Sequence, residues 1–85
     1  MTQHLGIDGL PRSKDEDEQI SQNFESLFKT PTGKAVLGYL RSVTIEMIAG
    51  SNATDEELRH REGQRFLVAI MEKRIQHGQR IKQNG

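Results

Sequence analysis

Three groupings of residues have types and spacings that chemistry could use. Thr30-Pro31-Thr32-Gly33-Lys34-Ala35 has a glycine followed by a lysine, the end of a phosphate-binding loop. A complete loop needs an earlier glycine, a preceding strand, and Ser or Thr after the lysine to hold magnesium. Alanine stands at position 35, and the residues before the loop have helical periodicity, so a helix start with a small residue in its first turn is the better account. Glu57 and His60 stand three apart, half of a carboxylate-bridged two-metal site. The further carboxylates are missing, and exposed Glu and His at this spacing are ordinary on helix surfaces. The serines Ser13, Ser21, Ser26, Ser42 and Ser51 lie at helix ends or polar positions. The histidines His4, His60 and His77 are scattered, so no nucleophile, base and orienting acid can be assembled from spacing. The expectation is a chain that is not an enzyme, with no cofactor, no metal and no catalytic residue.

Charge offers a fourth candidate. The net charge is zero, but residues 1–28 hold two bases, Arg12 and Lys14, against six acids, a balance of minus four. The remainder is equally positive, and Lys73 to Lys82 contains four basic residues and no acid. Lys73, Arg80 and Lys82 are therefore candidate phosphate contacts, with a salt-dependent affinity if nucleic acid is the partner. Acids at a helix start and bases at a helix end explain the same asymmetry through the helix dipole. The four aromatics, Phe24, Phe28, Tyr39 and Phe66, fall mostly on apolar stripes and do not form an exposed stacking platform.

The elements that would position these residues are helical. Met1–Arg12 has two glycines, a proline and no apolar period, and reads as a flexible arm. Ser13 with Glu16 makes a capping box, and Ile20, Phe24, Leu27 and Phe28 form one stripe of a helix expected over Ser13–Lys29. Thr30-Pro31 pairs an N-cap with a proline at the first helical position. The helix that follows is expected to reach Ala49, where Gly50 suits a C-cap, with Gly33, Val36, Leu40, Val43 and Met47 on its packing face. Thr54 opens a third helix expected to end at His77 before Gly78, with Gly63, Leu67, Ile70 and Met71 on its packing face. Strand signals are absent.

These elements predict an all-α domain over residues 13–78, a three-helix bundle or a helical hairpin with a leading amphipathic helix. A basic tail follows over 79–85. The expected core is Phe24, Phe28, Val36, Leu40, Val43, Met47, Leu67, Ile70 and Met71. Ile45, Val68 and Ile75 lie toward the edges or backs of their helices, and Gly38 sits on an outer face. With Arg74 they form a candidate interface to a second copy, because a chain of 85 residues with a third of its residues hydrophobic makes a thin core. Arg74 projects near the centre of the third helix's apolar face. A stem laid along the core with its head in water is the ordinary reading, and a buried pair with a carboxylate of a neighbouring chain is the other. No cysteine is present, which removes disulfides and thiolate metal sites. No apolar run approaches the roughly 20 residues needed to span a bilayer, and Met1–Leu10 lacks signal-peptide features, so cytoplasmic synthesis and no membrane partner are expected.

The stretch Phe24-x-x-Leu27-Phe28-x-Thr30-x-x-Gly33-Lys34-x-Val36-Leu37-x-x-Leu40, followed by Glu62-Gly63-Gln64-Arg65, resembles a family of small structural proteins of tailed bacteriophages. That family is encoded in the virion gene block of Bordetella-phage-like podoviruses. The resemblance runs from about Phe24 to Ile75. It implies a virion or virion-assembly protein without catalysis, made in the host cytoplasm, docking on itself as a homo-oligomer or on larger virion proteins. Two other classes stay open at this point: a phage adaptor that inhibits a host protein, and a DNA-associated virion component using the basic tail.

Overall fold

The computed structural model describes residues 4–48 and 50–84. Three helices follow in order: α1 over Lys14–Phe28, α2 over Pro31–Ser42 and α3 over Asp55–Asn84. No strand is present among the described residues; Leu5 and Pro11 form an isolated antiparallel bridge. The fold is all-α.

Each helix starts where its cap places it. The Ser13 hydroxyl accepts from the Glu16 N–H at 3.1 Å, Thr30 Oγ1 from Gly33 N–H at 2.9 Å, and Thr54 Oγ1 from Glu57 N–H at 3.1 Å. Pro31 occupies the first turn of α2. The ends differ from expectation. α2 stops at Ser42, and the expected end at Ala49 lies outside the described residues. Two hydroxyls there turn onto the helix's own carbonyls, Ser42 to Tyr39 O at 2.7 Å and Thr44 to Leu40 O at 2.6 Å, offering the backbone an alternative to further helix. α3 does not stop at Gly78 but continues to Asn84, absorbing most of the expected tail.

The ion pairs and close contacts fix the packing. Asp17 meets Arg74, Ser21 meets His77, and Glu25 meets Lys82, so α1 runs parallel to the C-terminal half of α3. α2 returns antiparallel: Arg41 bonds Glu72, while Arg65 donates to the carbonyls of Thr44 at 3.1 Å and Met47 at 2.5 Å. Arg65 thereby satisfies carbonyls that the early end of α2 leaves over. Replacing it with Ala is expected to cost about 1 kcal/mol, discounted for its partial exposure, and to raise amide exchange selectively over residues 43–48. Uniform exchange across the chain would count against this role.

α1 begins level with Arg74, so the first half of α3 projects beyond it. Thirty residues of helix span about 45 Å, close to the 48 Å long axis of a slab measuring 48 × 40 × 14 Å. The thin dimension is about the Cα span of two helices in contact. The radius of gyration is 15.4 Å, against about 12 Å for a compact domain of this length. The chain is a broad, thin helical sheet.

That shape corrects the expected core. Among the described residues, Phe28 and Val68 are the buried large apolar side chains. Phe24, stacked on Phe28 with ring centroids 6.0 Å apart, is half-buried, as are Leu40, Ile70 and Met71. Val36, Val43, Met47 and Leu67 are exposed, because a thin slab leaves the outer side of each stripe open. Val68, placed on a wet edge by sequence, is 4% exposed, because α2 packs on that side of α3.

Candidate functional site: a polar pin and an open apolar face

The centre of the α1–α3 seam is polar. Asp17, Ser21 and Glu25 recur every fourth residue on α1, and all are buried. Arg74 is 2% exposed and donates four hydrogen bonds: from Nη1 to Asp17 O at 2.9 Å, Asp17 Oδ1 at 2.5 Å and Ser21 Oγ at 3.0 Å, and from Nη2 to Asp8 Oδ2 at 3.2 Å. The snorkelling expected from sequence is overturned, and so is its place on an exposed interface. The paired carboxylates come from its own chain, which puts a planar five-donor fork among acceptors on two segments. Asp8 lies in the N-terminal segment read as a flexible arm. Residues 4–12 instead fold into a closed loop, with Gly6 N–H on Leu10 O at 2.8 Å and Arg12 N–H on His4 O at 3.1 Å; Met1–Gln3 lie outside the described residues.

Electrostatics follow this geometry. Asp8 is held down to about 2 by the hydrogen bond from Arg12, then by the Leu10 N–H and the charge of Arg12, with a further contribution from Arg74. Burial pushes the Asp17 carboxyl up, but bonds from Arg74 and the Ile7 N–H, with the charges of Arg74 and His77, outweigh it and hold it below the ordinary range. Ser21 Oγ accepts from Arg74 and also lies in hydrogen-bond contact with His77 Nδ1, 2.7 Å away. This serine–histidine contact is not an available nucleophile, since Ser21 is fully buried and Asp17 faces Arg74. No buried side-chain polar atom lacks a partner among the described residues. The network is a structural pin.

The other chemical candidates are dispersed. Glu57 and His60 are both exposed, and the side chain of His60 meets Gln64 at 3.2 Å. No group of three metal-ligating side chains is gathered among the described residues. Gly33, beside Lys34, is buried against the end of α1, and its N–H is spent on Thr30. Lys73, Arg80 and Lys82 are exposed on α3, with Lys82 3.7 Å from Glu25. Among the described residues, no helix is long and apolar enough to cross a membrane.

What the slab does present is apolar surface. Among the described residues, eleven large apolar side chains are exposed against two buried. Between α2 and α3 lies a groove of ≈ 380 Å³ lined by Leu40, Val43, Thr44, Gln64, Leu67 and Val68. Elsewhere on α2 and α3, Tyr39 and Phe66 are each 64% exposed. Ile45 and Ile75 are half-buried, and Gly38 is exposed with open space where a side chain would be. Gly63, read as a packing position, also meets nothing within its own chain.

The family model for Bbp19-like phage proteins matches residues 24–81, from the second half of α1 through nearly all of α3. The chain belongs to this family. Searches of curated proteins and of solved structures gave no match. The matched region of this Bbp19-like protein includes both walls of the apolar groove and Arg74, while Asp8, Asp17 and Ser21 lie before it. Sequence reasoning had assigned Leu40, Val43 and Leu67 of the groove to a closed core and Val68 to a wet edge. It did not identify the Asp17–Ser21–Glu25 stripe, whose signal was polar and small residues at four-residue spacing on a helix meant to pack.

Proposed function

We propose that this Bbp19-like protein is a non-enzymatic component of the phage particle or of its assembly, docking through its apolar face on itself or on larger virion proteins. One observation carries the reading. A folded monomer of 9.7 kDa exposes about 5,100 Å². This chain exposes 6407 Å², about 1,300 Å² more, and eleven large apolar side chains among its described residues are exposed. Surface of that extent is stable in water when a partner covers it, and a protein whose business is to be covered is a building block. The pin supports the same reading, because it holds the helices in a flat arrangement that apolar burial alone would not choose.

Mass spectrometry of purified particles and of assembly intermediates tests the proposal. The expected result is the chain at a fixed stoichiometry with other particle proteins; absence from both overturns it. The exposed Lys73 and Arg80 favour a second form, in which the chain lies against packaged DNA. Retention on DNA that falls steeply with salt would select that form. Stoichiometric recovery with a host protein, and none with particles, would select the host-directed adaptor.

A further inference from the structure

We infer that residues 4–12 form a latch, held shut by the Asp8 carboxylate, which swings off the α1–α3 seam as a unit while the helices stay pinned. The loop is complete in itself. Gly6 N–H bonds Leu10 O at 2.8 Å, Gly9 N–H bonds Gly6 O at 2.9 Å and Arg12 N–H bonds His4 O at 3.1 Å. Asp8 braces the loop from inside, taking Leu10 N–H on Oδ1 at 3.1 Å and Arg12 Nε on Oδ2 at 2.9 Å. A segment that makes its own backbone bonds keeps them when it leaves the helices. Its leucines do not fasten it by apolar burial, since Leu5 is 57% exposed and Leu10 54%, and Ile7 is half-buried.

Among the described residues, two hydrogen bonds tie the loop to the helices. Ile7 N–H donates to Asp17 Oδ1 at 3.2 Å, and Arg74 Nη2 donates to Asp8 Oδ2 at 3.2 Å. Gly6 is the seat beside them: a Cβ there would fall 2.6 Å from Asp17 Oδ1, so the loop rests on the pinned carboxylate at glycine distance. Opening therefore breaks two polar contacts and uncovers little apolar surface, the pattern of a segment that opens well below global unfolding. The pin survives it. Three of the four Arg74 bonds, from Nη1 to Asp17 O, Asp17 Oδ1 and Ser21 Oγ, run to α1 and do not involve the loop. The Ser13 cap is likewise made within α1, on Glu16 N–H. What changes is Arg74 itself, 2% exposed when latched, whose Nη2 then loses its carboxylate. The latch thus decides whether the guanidinium at the centre of the seam is sealed or meets water, whatever covers the apolar face.

Native-state hydrogen exchange of the full chain, read residue by residue by NMR, tests the latch. In the wild type the Ile7 amide is expected to exchange through an opening that low denaturant leaves unchanged. The amides of Ser21 and Glu25 in α1 should instead exchange through one that denaturant promotes, because it exposes far more surface. Asp8→Asn keeps the size of the side chain and removes the charge that Arg12 and Arg74 share. It is expected to speed exchange at Ile7 about tenfold or more. Adding Gly6→Ala, which presses on Asp17 from the seat, should leave the latch open in most molecules. In that double variant the amides of Ile7 and Arg12 lose protection, while helical circular dichroism and the protection of Ser21 and Glu25 remain. An Ile7 amide with the denaturant dependence of α1 in the wild type overturns the inference, as does one that Asp8→Asn leaves unchanged. Loss of the helical signal in the double variant also overturns it, since the helices would then need the loop in order to stay together.

Discussion

Arg74→Ala is expected to destabilise the fold by about 3–5 kcal/mol, measured by chemical denaturation. The cost arises from what is left behind more than from the bonds lost. Asp17 and Ser21 are buried, and Asp8 is nearly so, with its side chain 13% exposed. Without the guanidinium, Asp17 keeps its charge with a single Ile7 N–H in support, and the Asp17 carbonyl loses its side-chain donor. An 85-residue domain has a stability of roughly 4–13 kcal/mol, and one with two buried large apolar residues belongs at the lower end. The single substitution therefore threatens folding outright. A companion variant separates the pin from its mere volume. Arg74→Met with Asp17→Leu removes the charges together, leaves Asp8 to Arg12, and is expected to regain a large part of the loss. If the double variant is no more stable than Arg74→Ala, the penalty lies in packing and not in the stranded carboxylate.

The same pin sets the acid response. Both carboxyls have folded values below their unfolded ones, so their contribution is fully present above about pH 4 and is lost as pH falls toward 2. Stability of the wild type should be level at higher pH and decline across that window. In the double variant the decline should be shallower, since only Asp8 keeps its partner.

Local chemistry was readable and long-range pairing was not. Ser13, Thr30-Pro31 and Thr54 mark helix starts through contacts three residues away, which spacing alone exposes. The helix ends depended on distant partners. Arg65 takes carbonyls beyond the early end of α2, and α1 packs over Gly78, where sequence placed a stop. Arg74 and Asp17 are separated by 57 residues, and nothing in either neighbourhood names the other. Apolar periodicity identified the apolar stripes of α2 and α3. It could not say that the thin slab leaves the outer side of each stripe open, which is why Val36, Val43, Met47 and Leu67 were placed in a closed core and stand exposed.

Two glycines within helices of similar type should respond in opposite directions to added side chains. Gly78 lies against α1, and a Cβ there would fall 2.5 Å from Ser21 O, 2.7 Å from Glu25 Cβ and 3.0 Å from the Ser21 carbonyl carbon. Two of those atoms are backbone, which can yield only if α1 moves as a body. Gly78→Val is therefore expected to cost about 2–3 kcal/mol, through overpacking that the gain in helix propensity does not offset. Because the displaced contact adjoins Ser21, the separation should also loosen the Arg74 pin and move the acid transition to higher pH. Gly38 sits mid-helix in α2 with no atom near its absent side chain, so Gly38→Ala should stabilise by about 1 kcal/mol. Denaturant midpoints of the two variants bracketing the wild type are the expected outcome. A neutral Gly78→Val would mean that α1 and α3 are not held at the separation that the pin requires, and the polar seam would lose its role as the element that keeps the slab flat.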